Sequence, residues 1–185
     1  MAVDTERIWV ALLRGINVGG HNVTMAHMRE LFGELGFVGV RSYIQSGNLF
    51  FQSDEPDRAA LRSTIEAHLH AALGYTVPVC LRTAAELEHL LSLEPFAGIE
   101  STPGTRFSVV FCAEPLAQPV PVPFVTADGG YELIAATAAE LFVVWRLKNG
   151  RVSNTFGAIE KLVAAPTTTR FWHTTAKIVA AAKQA

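Results

Sequence analysis

Arg14-Gly15-Ile16-Asn17-Val18-Gly19-Gly20 begins where an apolar run, Ile8 to Leu13, stops. A guanidinium is a planar fork that grips phosphate or carboxylate through two parallel hydrogen bonds. Glycine lets backbone approach a bound group closely and adopts positive φ without cost. Asparagine supplies a neutral donor and acceptor. A second polar stretch, Gln45-Ser46-Gly47-Asn48, has the same character. Together these types suit capture of a small anionic or nucleotide-like group. The candidate ligand-binding residues are Arg14, Gly15, Asn17, Gly19, Gly20, Gln45, Ser46, Gly47 and Asn48. The competing reading is plain turn chemistry, in which Asn and Ser beside Gly shape a corner and Arg14 pairs with a carboxylate such as Glu30. Neither the dinucleotide fingerprint nor the phosphate-binding P-loop is matched.

A third stretch, Thr167 to Ile178 (TTTRFWHTTAKI), gathers Arg170, Trp172, His173, Thr174 and Lys177 at a strand-to-helix junction. Arg170, Trp172 and Thr174 join the candidate list, with the tryptophan as a wall and the cations for an anion. A core tryptophan, a capping threonine and cations with buried stems explain the same residues without a ligand.

Catalysis has thinner support. Ser46 as nucleophile with His21, His27 or His173 as base is an arrangement the chain permits, but no Gly-x-Ser-x-Gly elbow is present. No catalytic residue is assigned. The histidines lack zinc-ligand company, and no metal or cofactor signature is found. Cys80 and Cys112 each lie in an apolar, strand-like run and read as buried free thiols.

The elements that must position these residues follow from hydrophobic period and end signals. Ile8 to Leu13 is a strand. Thr24 caps a helix with Met25, Met28, Leu31, Phe32 and Leu35 on one face, stopped near Gly36. Val40 to Gln45 and Asn48 to Gln52 form a strand pair about the Ser46-Gly47 turn. Pro56-Asp57 starts a helix with Leu61, Ile65, Leu69 and Leu73 at strict i, i+4 spacing, ended by Gly74. Tyr75 to Leu81 is a fourth strand, and Pro78 suits a sheet edge. This β-α-β-β-α-β order predicts a ferredoxin-like unit over 1–82, with strands one and two parallel and the third between them. Both polar stretches then leave the same rim.

A second unit is expected over 83–185. Thr83-Ala84-Ala85-Glu86 has capping-box spacing. Arg106 to Cys112 is a strand, and Pro115 to Pro123 an extended connector too proline-rich for a helix. Tyr131 to Ala136 and Leu141 to Leu147 form a hairpin. Ser153 or Asn154 caps a helix bearing Phe156, Ile159, Leu162 and Val163. Thr167 to Phe171 is a strand, and an alanine-rich helix starts at Thr174. The fold class is therefore α+β: two α/β-plait units, the first complete and the second a variant with a proline-rich connector. No residue-level repeat is evident, so element order alone suggests a duplication.

Composition narrows the partners. The chain has 185 residues, 50% hydrophobic and 17% charged, with a formal net charge of −2. That balance carries no footprint for bulk nucleic acid, and the RNA-binding sheet signature is absent, although Phe50 or Phe51 facing outward would give a stacking surface. The exposed edge at Tyr75 to Leu81 offers a protein-pairing alternative. No apolar run reaches the roughly 20 residues a membrane span needs, and the first residues lack a signal-peptide pattern, so a cytoplasmic location is expected. Oligomeric state is left open.

"ALLRGINVGG", "YIQSGNLFF", "EPF" and "TTRFWHTTAKI" resemble the bacterial family called domain of unknown function 1697, over nearly the whole chain. The resemblance implies two ferredoxin-like units and no settled activity. Arg14, Gly15, Asn17, Gly19, Gly20, Gln45, Ser46, Gly47 and Asn48 match its first two motifs. Thr169, Arg170, Trp172 and Thr174 match a closing threonine-arginine-asparagine-tryptophan-asparagine-threonine signature. Phe171 and His173 stand where that signature has asparagine.

Overall fold

β1 (Trp9–Leu13) is buried along its whole length, as a continuous apolar run requires of a central strand. The computed structural model describes residues 8–17 and 22–184. α1 (Met25–Glu34) follows, capped by Thr24, whose side-chain oxygen accepts from the His27 N–H at 3.1 Å. β2 (Val38–Ser42) and β3 (Asn48–Gln52) come next, then α2 (Arg58–Leu73) and β4 (Val79–Thr83). Asp57 caps α2 through the Ala59 and Ala60 N–H groups, and Gly74 ends it in the left-handed conformation. The four strands form one sheet in the order β2-β3-β1-β4, with every neighbouring pair antiparallel. β1 and β2 both oppose β3, so they run the same way. β4 lies at the edge, with Pro78 just before it. Met28, Phe32, Ile65 and Leu69 pack the two helices on Ala11, Leu49, Phe51 and Leu81. Burying each large side chain there stabilises the unit by roughly 1.5–3 kcal/mol.

α3 (Ala84–Ser92) starts directly after β4. Its capping box forms as the spacing predicts: the Thr83 N–H donates to Glu86 Oε2 at 2.7 Å, and the Glu86 N–H to Thr83 Oγ1 at 3.1 Å. β5 (Thr105–Cys112), β6 (Phe124–Val125), β7 (Tyr131–Ala136), β8 (Glu140–Arg146), α4 (Gly157–Glu160), β9 (Thr167–Phe171) and α5 (Trp172–Ala182) complete the chain. The five later strands form a second antiparallel sheet, ordered β6-β7-β8-β5-β9. Both cysteines are free and buried.

The compact units run 1–91 with 177–185, and 92–176, whereas the sequence reading divides the chain at 82/83. α3 therefore counts with the first unit. So do the last residues: Arg41 donates to the carbonyls of Ala181 and Ala182 at 3.0 and 3.1 Å, and Lys183 pairs with Glu88 at 3.1 Å.

Three local expectations are corrected. The helix expected after Ser153 is a four-residue turn capped by Phe156, with no side-chain capping bond. Ser153 does not cap it: its Oγ accepts from the Thr155 N–H at 3.1 Å, two residues before the helix begins, while its hydroxyl donates to the Asp128 carboxylate. α5 begins at Trp172 rather than Thr174, with no loop after β9. The fourth strand spans Val79–Thr83 rather than Tyr75 to Leu81, while the proline connector is free of helix and strand and a short strand, β6, follows it. No helix among the described residues is long and apolar enough to cross a membrane.

Register shows a repeat that sequence inspection does not. In the first sheet Val10 pairs with Phe50 and Arg82; in the second Val109 pairs with Phe142 and Arg170. One row further, Ala11 lies between Leu49 and Leu81, and Val110 between Leu141 and Thr169. Both arginines are buried, and each donates from Nη1 to the carbonyl of the residue before it, at 2.7 Å for Arg82 and 2.9 Å for Arg170.

Candidate functional site

The two polar stretches of the first unit meet at one rim. The Leu13 N–H donates to the Gly47 carbonyl at 2.8 Å, extending the β1–β3 ladder into the turn. Asn17 adopts φ +58° and bridges both segments. Its Nδ2 donates to the Gln45 carbonyl at 3.0 Å, and its Oδ1 accepts from the Val23 N–H at 2.8 Å. The Arg14 N–H donates to the Pro78 carbonyl at 3.0 Å, which fixes the start of β4 beside the loop. Gly19, Gly20 and His21 lie outside the described residues.

The structure divides these candidates by role. Gly47 has φ +74°, and a Cβ there would stand 2.9 Å from Leu13 Cβ, so glycine is a steric requirement of the close approach. Asn48 is fully buried; its Nδ2 donates to the Tyr43 carbonyl at 3.0 Å and to Ser46 Oγ at 2.9 Å. Asn17, Gly47 and Asn48 therefore hold the rim together. Arg14, Gly15, Gln45 and Ser46 are exposed on it. Glu30 does not take Arg14 as partner but faces His27, with Nδ1 to Oε2 at 3.3 Å. Ser46 Oγ accepts from the Asn48 amide, a group that cannot act as a base.

Beside the loop runs a shallow groove of about 620 Å³ between the start of α1 and the end of α2. Asn22, Val23, Thr24 and His27 line one side, and Leu73 to Tyr75 the other. The first N–H groups of a helix carry partial positive charge, which favours an anion at that end of the groove. Arg14 and the 45–48 turn are not among its lining residues.

The junction at β9 and α5 belongs to the second unit. Arg170 is buried and bonded to Thr168 Oγ1 at 2.9 Å. Trp172 packs edge-on against Phe96 at 5.3 Å and Phe142 at 6.2 Å. Both arrangements are those of a core. His173 is exposed and stacks on Phe171 at 5.8 Å, and Thr174 is half-buried in the first turn of α5.

Sequence reasoning missed one polar cluster. Asp128 accepts from the hydroxyls of Ser153, Thr155 and Thr126 and from the Gly130 N–H. The Ser153 hydroxyl first, then the Gly130 N–H and Thr155 hydroxyl, hold its carboxyl well below the usual range. A carboxylate so saturated is a poor proton acceptor, and its effect is to tie the 148–156 loop to the β7 turn. Tyr131 adds to the tie by donating from its hydroxyl to the Ser153 carbonyl at 2.7 Å; burial, then the Asp128 charge, push that phenol up. The Asp128-Gly129 turn signal was legible, but its hydroxyl partners lie far along the chain.

Comparison with known proteins sets this geometry among relatives. A family model described as "Protein of unknown function (DUF1697)" matches residues 7–142. A solved structure described as the conserved bacterial protein SP0830 from Streptococcus pneumoniae is 23% identical with a TM-score of 0.70, covering 96% of this chain and 99% of that one. That likeness supports the fold alone. No curated protein matches the chain.

Proposed function

This chain belongs to the DUF1697 family, whose description assigns no activity, and we propose that its first unit binds a small anionic, nucleotide-like ligand at the Arg14–Gly20 and Gln45–Asn48 loops. One observation carries the reading: the Leu13–Gly47 and Asn17–Gln45 hydrogen bonds draw the two loops together, leaving Arg14, Gln45 and Ser46 exposed on one rim beside the start of α1. An exposed guanidinium next to neutral donors and helix N–H groups suits a phosphate-bearing molecule. We read both units as ferredoxin-like plaits, since β4-β1-β3-β2 and β9-β5-β8-β7 repeat one strand order, and the chain as a cytoplasmic protein.

Two alternatives have less support. A hydrolase or transferase would use Ser46 as nucleophile, but its Gln-Ser-Gly-Asn turn is not the Gly-x-Ser-x-Gly elbow that presents such a serine. A single-strand nucleic-acid surface needs exposed aromatics, and Phe50 and Phe51 are both buried. Thermal-shift measurement with inorganic phosphate, AMP and ATP tests the proposal. The expected result is a concentration-dependent rise in Tm that Arg14→Ala removes. No shift with any of the three, or an equal shift in the variant, overturns it.

A further inference from the structure

The corner that carries the rim is built twice in this chain, and the first copy is longer. In the second unit the Thr137 N–H donates to the Glu140 carbonyl at 2.9 Å, so residues 138 and 139 alone close the turn, and neither has positive φ. In the first unit the Tyr43 N–H donates to the Asn48 carbonyl at 2.9 Å across residues 44–47. Each turn then offers its last carbonyl to the central strand: Gly47 to the Leu13 N–H at 2.8 Å, Ala139 to the Cys112 N–H at 2.9 Å. One frame thus closes with two residues in the second unit and holds two more in the first.

The longer turn contains a costly residue. Ile44 has φ +52°. Asn17, Glu94 and Asn149 are the other described non-glycine residues at positive φ, and Ile44 alone among them is branched at Cβ. A branched side chain there crowds its own backbone, whereas asparagine visits the region routinely. Burial does not offset the strain, because Ile44 is 48% exposed. Hydrogen bonds hold it in place from both flanks. Asn48 Nδ2 donates to the Tyr43 carbonyl at 3.0 Å, and Asn17 Nδ2 to the Gln45 carbonyl at 3.0 Å. A lone exposed aliphatic side chain is ordinary on a protein surface. One clamped in a strained backbone, within a turn whose counterpart closes without it, points to use.

The neighbours indicate which use. Gln45 and Ser46 follow Ile44 along the turn, and they are exposed with Arg14 on the same rim. An inorganic anion asks only for the guanidinium and the neutral donors. Sites for organic ligands add apolar wall to a few polar groups. The face of a base is the apolar surface that a nucleotide adds to its phosphate. We infer, resting on the binding site proposed above, that Ile44 is its specificity-determining residue: the ligand is a nucleoside monophosphate, with the base against the Ile44 side chain and the phosphate on Arg14.

Isothermal titration calorimetry on the full chain compares AMP and UMP with ribose 5-phosphate, which keeps the sugar and phosphate and lacks the base. The parent is expected to bind at least one nucleotide fivefold or more tightly than ribose 5-phosphate. Ile44→Asn is expected to raise Tm by relieving strain and to bring that ratio close to one. Ile44→Gly is expected to do the same. Arg14→Ala is expected to remove binding of all three compounds. No binding by the parent, or binding that Arg14→Ala leaves intact, overturns the rim site and the role of Ile44 together. Binding through Arg14 in which the nucleotides gain nothing over ribose 5-phosphate, or in which the ratio survives both Ile44 variants, overturns the role of Ile44 alone. So does a Tm that falls in both variants, since the side chain then serves the fold.

Discussion

The rims of the two units share a backbone frame and differ in what they display. In the first, the Leu13 N–H reaches the Gly47 carbonyl and the Arg14 N–H the Pro78 carbonyl, at 2.8 and 3.0 Å. In the second, the Cys112 N–H reaches the Ala139 carbonyl and the Ala113 N–H the Pro166 carbonyl, both at 2.9 Å. The frame is thus common to both and says nothing about a ligand. The side chains differ. Arg14 has Ala113 as its counterpart, Gly47 has Ala139, and buried Asn48 has Glu140, which accepts from the Thr137 hydroxyl. A cationic, glycine-lined rim occurs in one copy only. This contrast separates residues that build the corner from those displayed on its surface.

The largest expected effect tests the frame. Gly47→Val forces a left-handed backbone on a branched residue and a Cβ into Leu13, at a cost of roughly 2–4 kcal/mol in denaturant unfolding. Ala139→Gly, at the matching place, costs about 0.5–1 kcal/mol. Equal losses would break the comparison. Asn48→Leu comes next, because it takes the donor from the half-buried Tyr43 carbonyl; a loss of about 1–3 kcal/mol is expected, measured the same way.

Acid sensitivity sharpens the contrast from the other side. The folded Asp128 carboxyl titrates below its unfolded value of roughly 3.9. Its stabilising contribution is complete above that value and is lost as pH falls toward the folded one. Asp128→Asn is therefore expected to flatten the fall in stability below about pH 4. In the first unit burial raises the Glu86 carboxyl, but the Arg58 and Thr83 hydrogen bonds and the charges of Arg58 and Arg82 outweigh it and leave a net lowering. Glu86→Gln is expected to flatten the same limb. Unaltered acid limbs would contradict both. The smallest effect is on Arg14→Ala, whose stability is expected to stay within about 0.5 kcal/mol of the parent, since the side chain is exposed.

Local chemistry made much of this legible. Asp57 and Gly74 bracket α2, and Thr83 and Glu86 form their reciprocal cap, because each signal acts within one helical turn. The meeting of the 14–17 and 45–48 segments followed from strand direction. What stayed hidden was set by partners distant in sequence. Asp128 ties down Ser153 from 25 residues away, Ser153 Oγ caps a turn at Thr155, and α4 starts only at Gly157. The roles of Asn17 and Asn48 needed coordinates, since an asparagine facing a ligand and one bracing a turn read alike. The Phe–Val–Arg rows of the two sheets escape a linear comparison because the offset between the copies changes from strand to strand.

The most direct test of the central claim is an amide NMR titration of the intact chain with inorganic phosphate and then AMP. The account predicts saturable shifts at Gly15, Asn17, Gln45 and Ser46, none at Ala113 or Thr137, and their disappearance in Arg14→Ala. Shifts absent at the first rim, or unchanged without the guanidinium, would contradict it.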